Sequence, residues 1–223
     1  STSAKPDDQN TTTPKPPNIN LDKNNITQKN PEDDIKGSTQ QSIKLGAAKS
    51  TKHSITLKWK RVANADGYII YTNKCGMKNK YKKYKTMSKN ISKFVQKKLK
   101  PKTYYKYFVV AYKKVNGKKK AIVASRTIHI TTKGGKYGNA TGVKVNKNKI
   151  ILKTGKKFSI KAKEYNKKKM PIKIHRSIKF ESSNKNIAKV SSKEKVTGVS
   201  KGTCIIYAYA QNLKCKKIRI TVK

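Results

Sequence analysis

The residues of this chain best equipped for chemistry are its lysines and the tyrosines set among them. Residues 78–85 read Lys-Asn-Lys-Tyr-Lys-Lys-Tyr-Lys, five ammonium groups around two phenol rings. Ammonium groups attract phosphate, sulfate or carboxylate, and ring faces give a polymer something to stack on. Lys80, Tyr81, Lys82, Lys83, Tyr84 and Lys85 are therefore the first candidates for binding a polyanion. Lys118, Lys119 and Lys120 follow an Asn116-Gly117 turn, and Lys167, Lys168 and Lys169 lie between Tyr165 and Met170. Loop-tip lysines reach into solvent at little cost, and two sets on linked units would reinforce each other through high effective concentration. The plainer reading of the same residues is solvation, because lysines on an edge strand discourage strand-to-strand pairing.

Acid–base and nucleophilic catalysis find little to work with. Beyond residue 42 the acids are Asp66, Glu164, Glu181 and Glu194, which fall in separate expected turns or strand ends and make no carboxylate pair. His53, His129 and His175 stand at no i, i+4 spacing and beside no cysteine pair, so each is expected to be an ordinary surface or strand histidine. Cys75, Cys204 and Cys215 are an odd number at no metal spacing. A turn at 211–214 would pair 210 with 215 and leave 204 well away, so free thiols are expected. Gly134-Gly135 lacks the strand and helix that a phosphate cradle needs, and calcium would need clustered oxygen ligands. No catalytic residue, metal site or cofactor is expected.

Charge sharpens the choice of partner. The formal net charge is +46, and 51 of the 56 basic residues against four of the 10 acids lie beyond residue 42, a formal +47 there. Such a field draws in polyanions with a strong dependence on salt. All but Arg61, Arg126, Arg176 and Arg219 of the basic residues are lysine. Readers of nucleic-acid sequence rely on the planar fork of arginine, so nucleic acid is the disfavoured polyanion. Codon bias in an AT-rich genome would produce the same lysine excess without any partner.

These groups must be carried on strands, since no helical period occurs. Residues 1–42 are rich in Ser, Thr, Pro, Asn, Gln and Asp, with only Ala4, Ile19, Leu21, Ile26 and Ile35 apolar. Such a segment buries too little surface to offset its ordering, and a disordered tether is expected. The chain starts at Ser1 without an apolar leader, the pattern of a mature or trimmed fragment, and no run of 18 apolar residues is present. From residue 43 short alternating runs follow, with Ile55, Leu57 and Trp59 on one face, then 68–72, 78–86, 91–95, 98–112 and 121–131. In residues 98–112, Pro101 sets a turn and Tyr105, Tyr107, Val109 and Ala111 then share a face that wants an apolar partner sheet. Asn116-Gly117 is a two-residue hairpin signal, because both positions accept positive φ.

The order Leu99, Pro101, Thr103, Tyr105 resembles the tyrosine corner of fibronectin type III domains. The stretches ending at Trp59, Tyr71, Tyr112 and Thr131 follow that family in order across residues 43–132. The resemblance implies a β-sandwich in which Trp59, Leu99, Pro101 and Tyr105 are structural and the Tyr105 hydroxyl ties its strand to the preceding loop. Residues 113–120 hold no Arg-Gly-Asp, so integrin recognition is not implied. Residues 133–139, with three glycines, read as an interdomain linker about which two units could tilt.

Residues 140–223 resemble a bacterial immunoglobulin-like domain of group 2. The resemblance is carried by Gly142-Val-Lys-Val145, Ile150-Ile-Leu152 with Gly155, Phe180-Glu-Ser-Ser-Asn184, Ile187-Ala-Lys-Val190, Lys195-Val-Thr-Gly-Val199, Lys201-Gly-Thr203 and Ile218-Arg-Ile-Thr-Val222. Phe180 stands where that family usually has tryptophan, and Lys193-Glu194 lacks the glycine common in that turn. The expected fold is all-β, two immunoglobulin-like β-sandwiches in tandem preceded by a disordered N-terminal tether over 1–42. The resemblance implies an extracellular, secreted or cell-surface bacterial protein, and with the charge and the lack of a catalytic grouping the expected function is a monomeric, non-enzymatic module for adhesion or cell-envelope attachment. Its partner would be an anionic cell-wall polymer, a host glycan or a surface protein. A structural spacer that displays another domain, and non-specific nucleic-acid binding, remain open beside it.

Overall fold

The computed structural model describes residues 19–26 and 42–223, and among them the only helical turn is a 3-10 turn at Lys173–His175. The alternation of Ile55, Leu57 and Trp59 produces β3 (Ile55–Lys58), which pairs with β2 (Lys49–Ser50) and β6 (Lys93–Gln96) in a small sheet. Facing it is a larger antiparallel sheet in the order β1 (Asn25–Ile26), β5 (Tyr81–Ser88), β4 (Gly67–Lys74), β7 (Tyr104–Val115), β8 (Lys118–Ala124). The inward side of β7 is Tyr105, Tyr107, Val109 and Ala111, clustered with Ile55, Leu57, Trp59, Tyr68 and Phe94. Polar ends of the buried rings tie the layers together. The Tyr107 hydroxyl donates to Gln96 Oε1 at 2.7 Å, and the Tyr105 hydroxyl accepts the Lys100 N–H at 3.1 Å. Asn116 and Gly117 take φ of 50° and 75°, closing the β7–β8 hairpin.

Two expectations for this half need correction. The run 121–131 is not one strand, because the chain leaves β8 at Ala124 and re-pairs as β9 (Ile128–Thr131) with the opposite end of β7. Ser125 makes the break: its N–H donates to Val109 O and its Oγ accepts the Val109 N–H. A side chain thus takes over a ladder bond. The second correction concerns the tether. Residues 19–26 are part of the fold, with Ile19 and Leu21 buried and Asn25–Ile26 adding a strand to β5, Asn25 opposite Lys82. The reason is the outer side of the large sheet, where Ile69, Tyr71, Tyr81, Phe108 and Val110 form an apolar layer that needs a cover. Tyr71 stacks on Phe108 with centroids 4.8 Å apart, and Tyr81 meets the same ring edge-on. The rest of 1–42 up to residue 41 lies outside the described residues.

The second sandwich contains β10 (Gly142–Val145) paired with β13 (Ala162–Tyr165), and a sheet of β11 (Lys149–Leu152), β18 (Cys215–Val222), β17 (Gly202–Tyr209) and β14 (Lys179–Ser182). A third sheet joins β12 (Lys157–Ser159), β16 (Lys195–Gly198) and β15 (Ala188–Val190). β11 lies parallel to β18, and all other pairs are antiparallel. Ile160, Val196, Ile206, Ile218 and Ile220 fill the core, with Phe180 half-buried against it. Glu194 adopts φ of 61° in the turn where glycine was missed, a left-handed conformation that costs a side chain roughly 1 kcal/mol. Cys204 faces Ile220 and Cys215 faces Tyr209, so the two thiols sit at different levels of one ladder, and the turn pairs 209 rather than 210 with 215.

Tilting about residues 133–139 is opposed by a dense contact between the sandwiches. Tyr209 and Leu213 of the second insert into the core of the first. Asn139 clamps Thr131, accepting its N–H at 2.9 Å and donating to its carbonyl at 2.8 Å. The Tyr104 hydroxyl accepts the Ile172 N–H, Ala48 N–H donates to Asn212 O, and His129 N–H donates to Gln211 O. Glycine content indicated freedom at the linker, but its neighbours remove that freedom.

Candidate functional site

The Lys-Tyr stretch lies on β5, where period 2 sends its two rings to different surroundings. Tyr81 is buried, 3% exposed, beneath the Leu21 segment, whereas Tyr84 is 51% exposed and leans on Phe94. The expectation of two stacking rings is therefore corrected to one. Lys80, Lys82 and Lys85 are exposed, while Lys83 is half-buried and donates through Nζ to Leu21 O. That lysine is spent on holding the N-terminal segment.

On the β7–β8 hairpin the register sets Lys113 opposite Lys120 and Lys114 opposite Lys119, with Lys118 opposite Val115. Like charges directly across a ladder are destabilising, so this tip stores repulsion that an anion would relieve. Lys119 Nζ sits 5.4 Å from the Tyr112 ring centroid, and the Lys114 N–H donates to the Asp66 carboxylate. The third cluster is placed differently. Lys168 and Lys169 line an open cleft of about 730 Å³ between the two sandwiches, together with Lys49, Lys133 and Lys214, and Lys167 is exposed on the same loop. Lys169 Nζ also donates to Gly135 O at 2.8 Å, which fixes one wall. Sequence order hid this convergence, since the five cleft lysines come from four separate segments of the chain.

The sandwiches are also joined by a buried carboxylate. Glu181, 9% exposed, accepts bonds at 2.8 Å from Arg126 Nε, Lys44 Nζ and the Ser42 hydroxyl. Arg126 also donates to Phe180 O at 2.7 Å. Burial alone would raise the carboxyl's pKa, but Arg126 and Lys44 outweigh it and hold the group below its ordinary range.

A second polar pocket was missed by sequence reasoning altogether. His129 on β9 and His175 in the 3-10 turn bring their Nδ1 atoms to 3.2 Å, and one donor atom each from Cys75, His129 and His175 lie within 4.8 Å of one another. Tyr104 stacks on His175 at 4.4 Å, and Gln211 Oε1 lies 2.8 Å from His175 Nδ1. Glu164 lines the same small cavity as both imidazoles, and neither of its oxygens has a hydrogen-bond partner. Burial lifts its carboxyl to about 7, Arg176 opposing the shift. Burial likewise pushes the Cys75 thiol up to about 12, against the pull of Lys106, and lowers His175, against its bond to Gln211. The expectation of scattered histidines and no metal-ligand grouping is corrected here. No spacing signal could have found the group, because its members come from three distant segments.

Two facing sheets of alternating strands, repeated in tandem, define this as an immunoglobulin-like β-sandwich protein. Residues 139–222 match the family model of the bacterial Ig-like domain (group 2). Solved structures that match include a solution structure of the fn3 domain of human contactin 1, 17% identical with a TM-score of 0.33, covering 44% of this chain and 86% of that one. No curated protein matches the chain. Domains of the group 2 family occur in bacterial surface proteins and are typically non-catalytic modules. No helix among the described residues is long and apolar enough to cross a membrane.

Proposed function

We propose that the chain is a non-enzymatic adhesion or envelope-attachment module, exposed at a bacterial surface or secreted, that captures an anionic polymer. The carrying observation is the cleft of about 730 Å³ between the sandwiches, which Lys49, Lys133, Lys168, Lys169 and Lys214 line from both sides. A concave cationic surface with low-dielectric walls focuses the field and raises the local concentration of an anionic ligand. The hairpin lysines 118–120, at the end of β7 opposite Tyr104, and the exposed part of β5, Lys80, Lys82, Tyr84 and Lys85, are further positive patches apart from the cleft. Teichoic acid of the cell's own wall and sulfated or sialylated host glycans share the required chemistry. A rigid spacer is the second reading, favoured by the sealed Glu181 and Asn139 contacts between the sandwiches.

The test is binding of the full chain to teichoic acid, heparan sulfate, sialylated glycan and DNA at ~50 and ~150 mM salt, a range over which exposed charges become screened. Capture of one class that persists at the higher salt, and that falls in the Lys49→Gln/Lys168→Gln/Lys214→Gln variant, supports the reading. Equal binding to every polyanion, vanishing at ~150 mM, leaves the spacer. Sequence discrimination among DNA ligands would favour nucleic acid instead.

A further inference from the structure

We propose that Cys75, His129 and His175 form a divalent transition-metal site of the zinc class that bolts the two sandwiches together, with Glu164 beside it as a charge-compensating carboxylate. The imidazole pair has the right spacing: two nitrogens bound at about 2.0–2.1 Å to one tetrahedral ion stand roughly 3.3 Å apart, the two Nδ1 atoms are 3.2 Å apart, and the Cys75 sulfur lies within 4.8 Å of the other donors, so it must close in on binding. One thiolate and two imidazoles form a borderline-soft donor set, which suits Zn2+ or Co2+ and not the hard cations that prefer oxygen. The second observation is independent of the ligands. Glu164 is 2% exposed, and its two oxygens are unpartnered in a cavity that both imidazoles line. A carboxylate is not normally buried without a partner, and a cation in this cavity would supply one.

The charges balance. Binding releases the Cys75 thiol proton, and the Glu164 proton where that carboxyl is protonated, to solvent; one thiolate and one carboxylate then neutralise a dication, while a water fills the fourth position. An ion held at the two Nδ1 atoms takes the place of the proton that His175 shares with Gln211, and that proton moves to Nε2 as the neutral imidazole changes tautomer. The geometry around the donors is already restrained: the Cys75 N–H donates to Tyr104 O at 2.9 Å, the His129 N–H donates to Gln211 O, and the His175 ring is stacked on Tyr104. Cys75 and His129 belong to the first sandwich and His175 to the second, so the ion would be a cross-link between them.

The experiment uses the full chain, stripped with chelator and titrated with Co2+ and then Zn2+. One equivalent of Co2+ should bind with a thiolate-to-cobalt absorption band that Zn2+ abolishes. The band should survive in the Cys204→Ser/Cys215→Ser variant and vanish in Cys75→Ser, while His175→Ala should weaken binding by more than about 100-fold and Glu164→Gln by about 10- to 100-fold. A measurement on the unaltered chain guards against variants that fail to fold: Zn2+ should protect Cys75 from alkylation while Cys215, exposed on β18, continues to react. Absence of the thiolate band at stoichiometric Co2+, a band that persists in Cys75→Ser, or Cys75 alkylation unchanged by Zn2+ would each overturn the site and leave a hydrogen-bonded histidine pair.

Discussion

Replacing Glu181 by Gln tests whether the two sandwiches fold as one unit. The substitution keeps the side chain's shape but removes the charge and turns an amide N–H2 toward donors that have no use for it. Charge-assisted hydrogen bonds contribute about 1.5–3 kcal/mol each, and Glu181 receives two at 2.8 Å, from Arg126 and Lys44. Both cations keep part of their compensation. Arg126 retains Phe180 O, and Lys44, 29% exposed, regains water and stays 4.3 Å from the Tyr207 ring centroid. The loss should therefore fall near 2–3 kcal/mol, below the roughly 3–5 kcal/mol of a wholly buried pair. For a chain of this length that lowers Tm by about 5–10 °C.

Trp59 is the sole tryptophan and lies in the first core, so its fluorescence follows the first sandwich while circular dichroism follows both. Urea transitions by the two probes should coincide in the unaltered chain and separate in the variant. The sign of the pH dependence follows from the lowered carboxyl pKa. The unfolded chain binds the proton more tightly, so the Glu181 contribution is complete above the ordinary carboxylate pKa of about 4.3 and is lost as pH falls through the folded value. The variant should lack that part of the acid slope. Stability within about 0.5 kcal/mol of the parent, with coincident transitions and an unchanged acid limb, would refute the coupling.

Tyr105→Phe should cost about 1 kcal/mol by removing the acceptor of the Lys100 N–H, measured as a lower urea midpoint at constant slope. Gly67→Ala should be far more damaging, at least about 2 kcal/mol, because a Cβ there would stand 2.5 Å from Met87 O, which is backbone of the paired strand. Leu21→Asp should release the N-terminal segment from the outer sheet face, raising amide hydrogen exchange along β5 while leaving the Trp59 core transition in place. Glu194→Gly should stabilise by up to about 1 kcal/mol, since the turn already holds φ at 61°, and a thermal melt detects it.

The sequence by itself determined the elements whose signals are local. Alternation in 54–60 and 98–112 fixed which faces of β3 and β7 turn inward, and Asn116-Gly117 fixed a hairpin, because strand period and turn dihedrals depend on residues a few positions apart. It also indicated the all-β class and the likeness of the second sandwich to the group 2 bacterial Ig-like model, whose motifs occur in order along the chain. Tertiary structure alone decided the rest. Whether Tyr81 or Tyr84 faces solvent depends on a cover supplied by Leu21, some sixty residues upstream, and two apolar residues in a polar segment give no periodicity to read. The assembly of Lys49, Lys133, Lys168 and Lys214 around one cleft, and of Cys75, His129 and His175 around one point, depends on how two sandwiches dock. Docking is settled by the fit of Tyr209 and Leu213 into a neighbouring core and by the pairing of Glu181 with Arg126. Those contacts join residues far apart in the chain, and no local pattern carries their addresses.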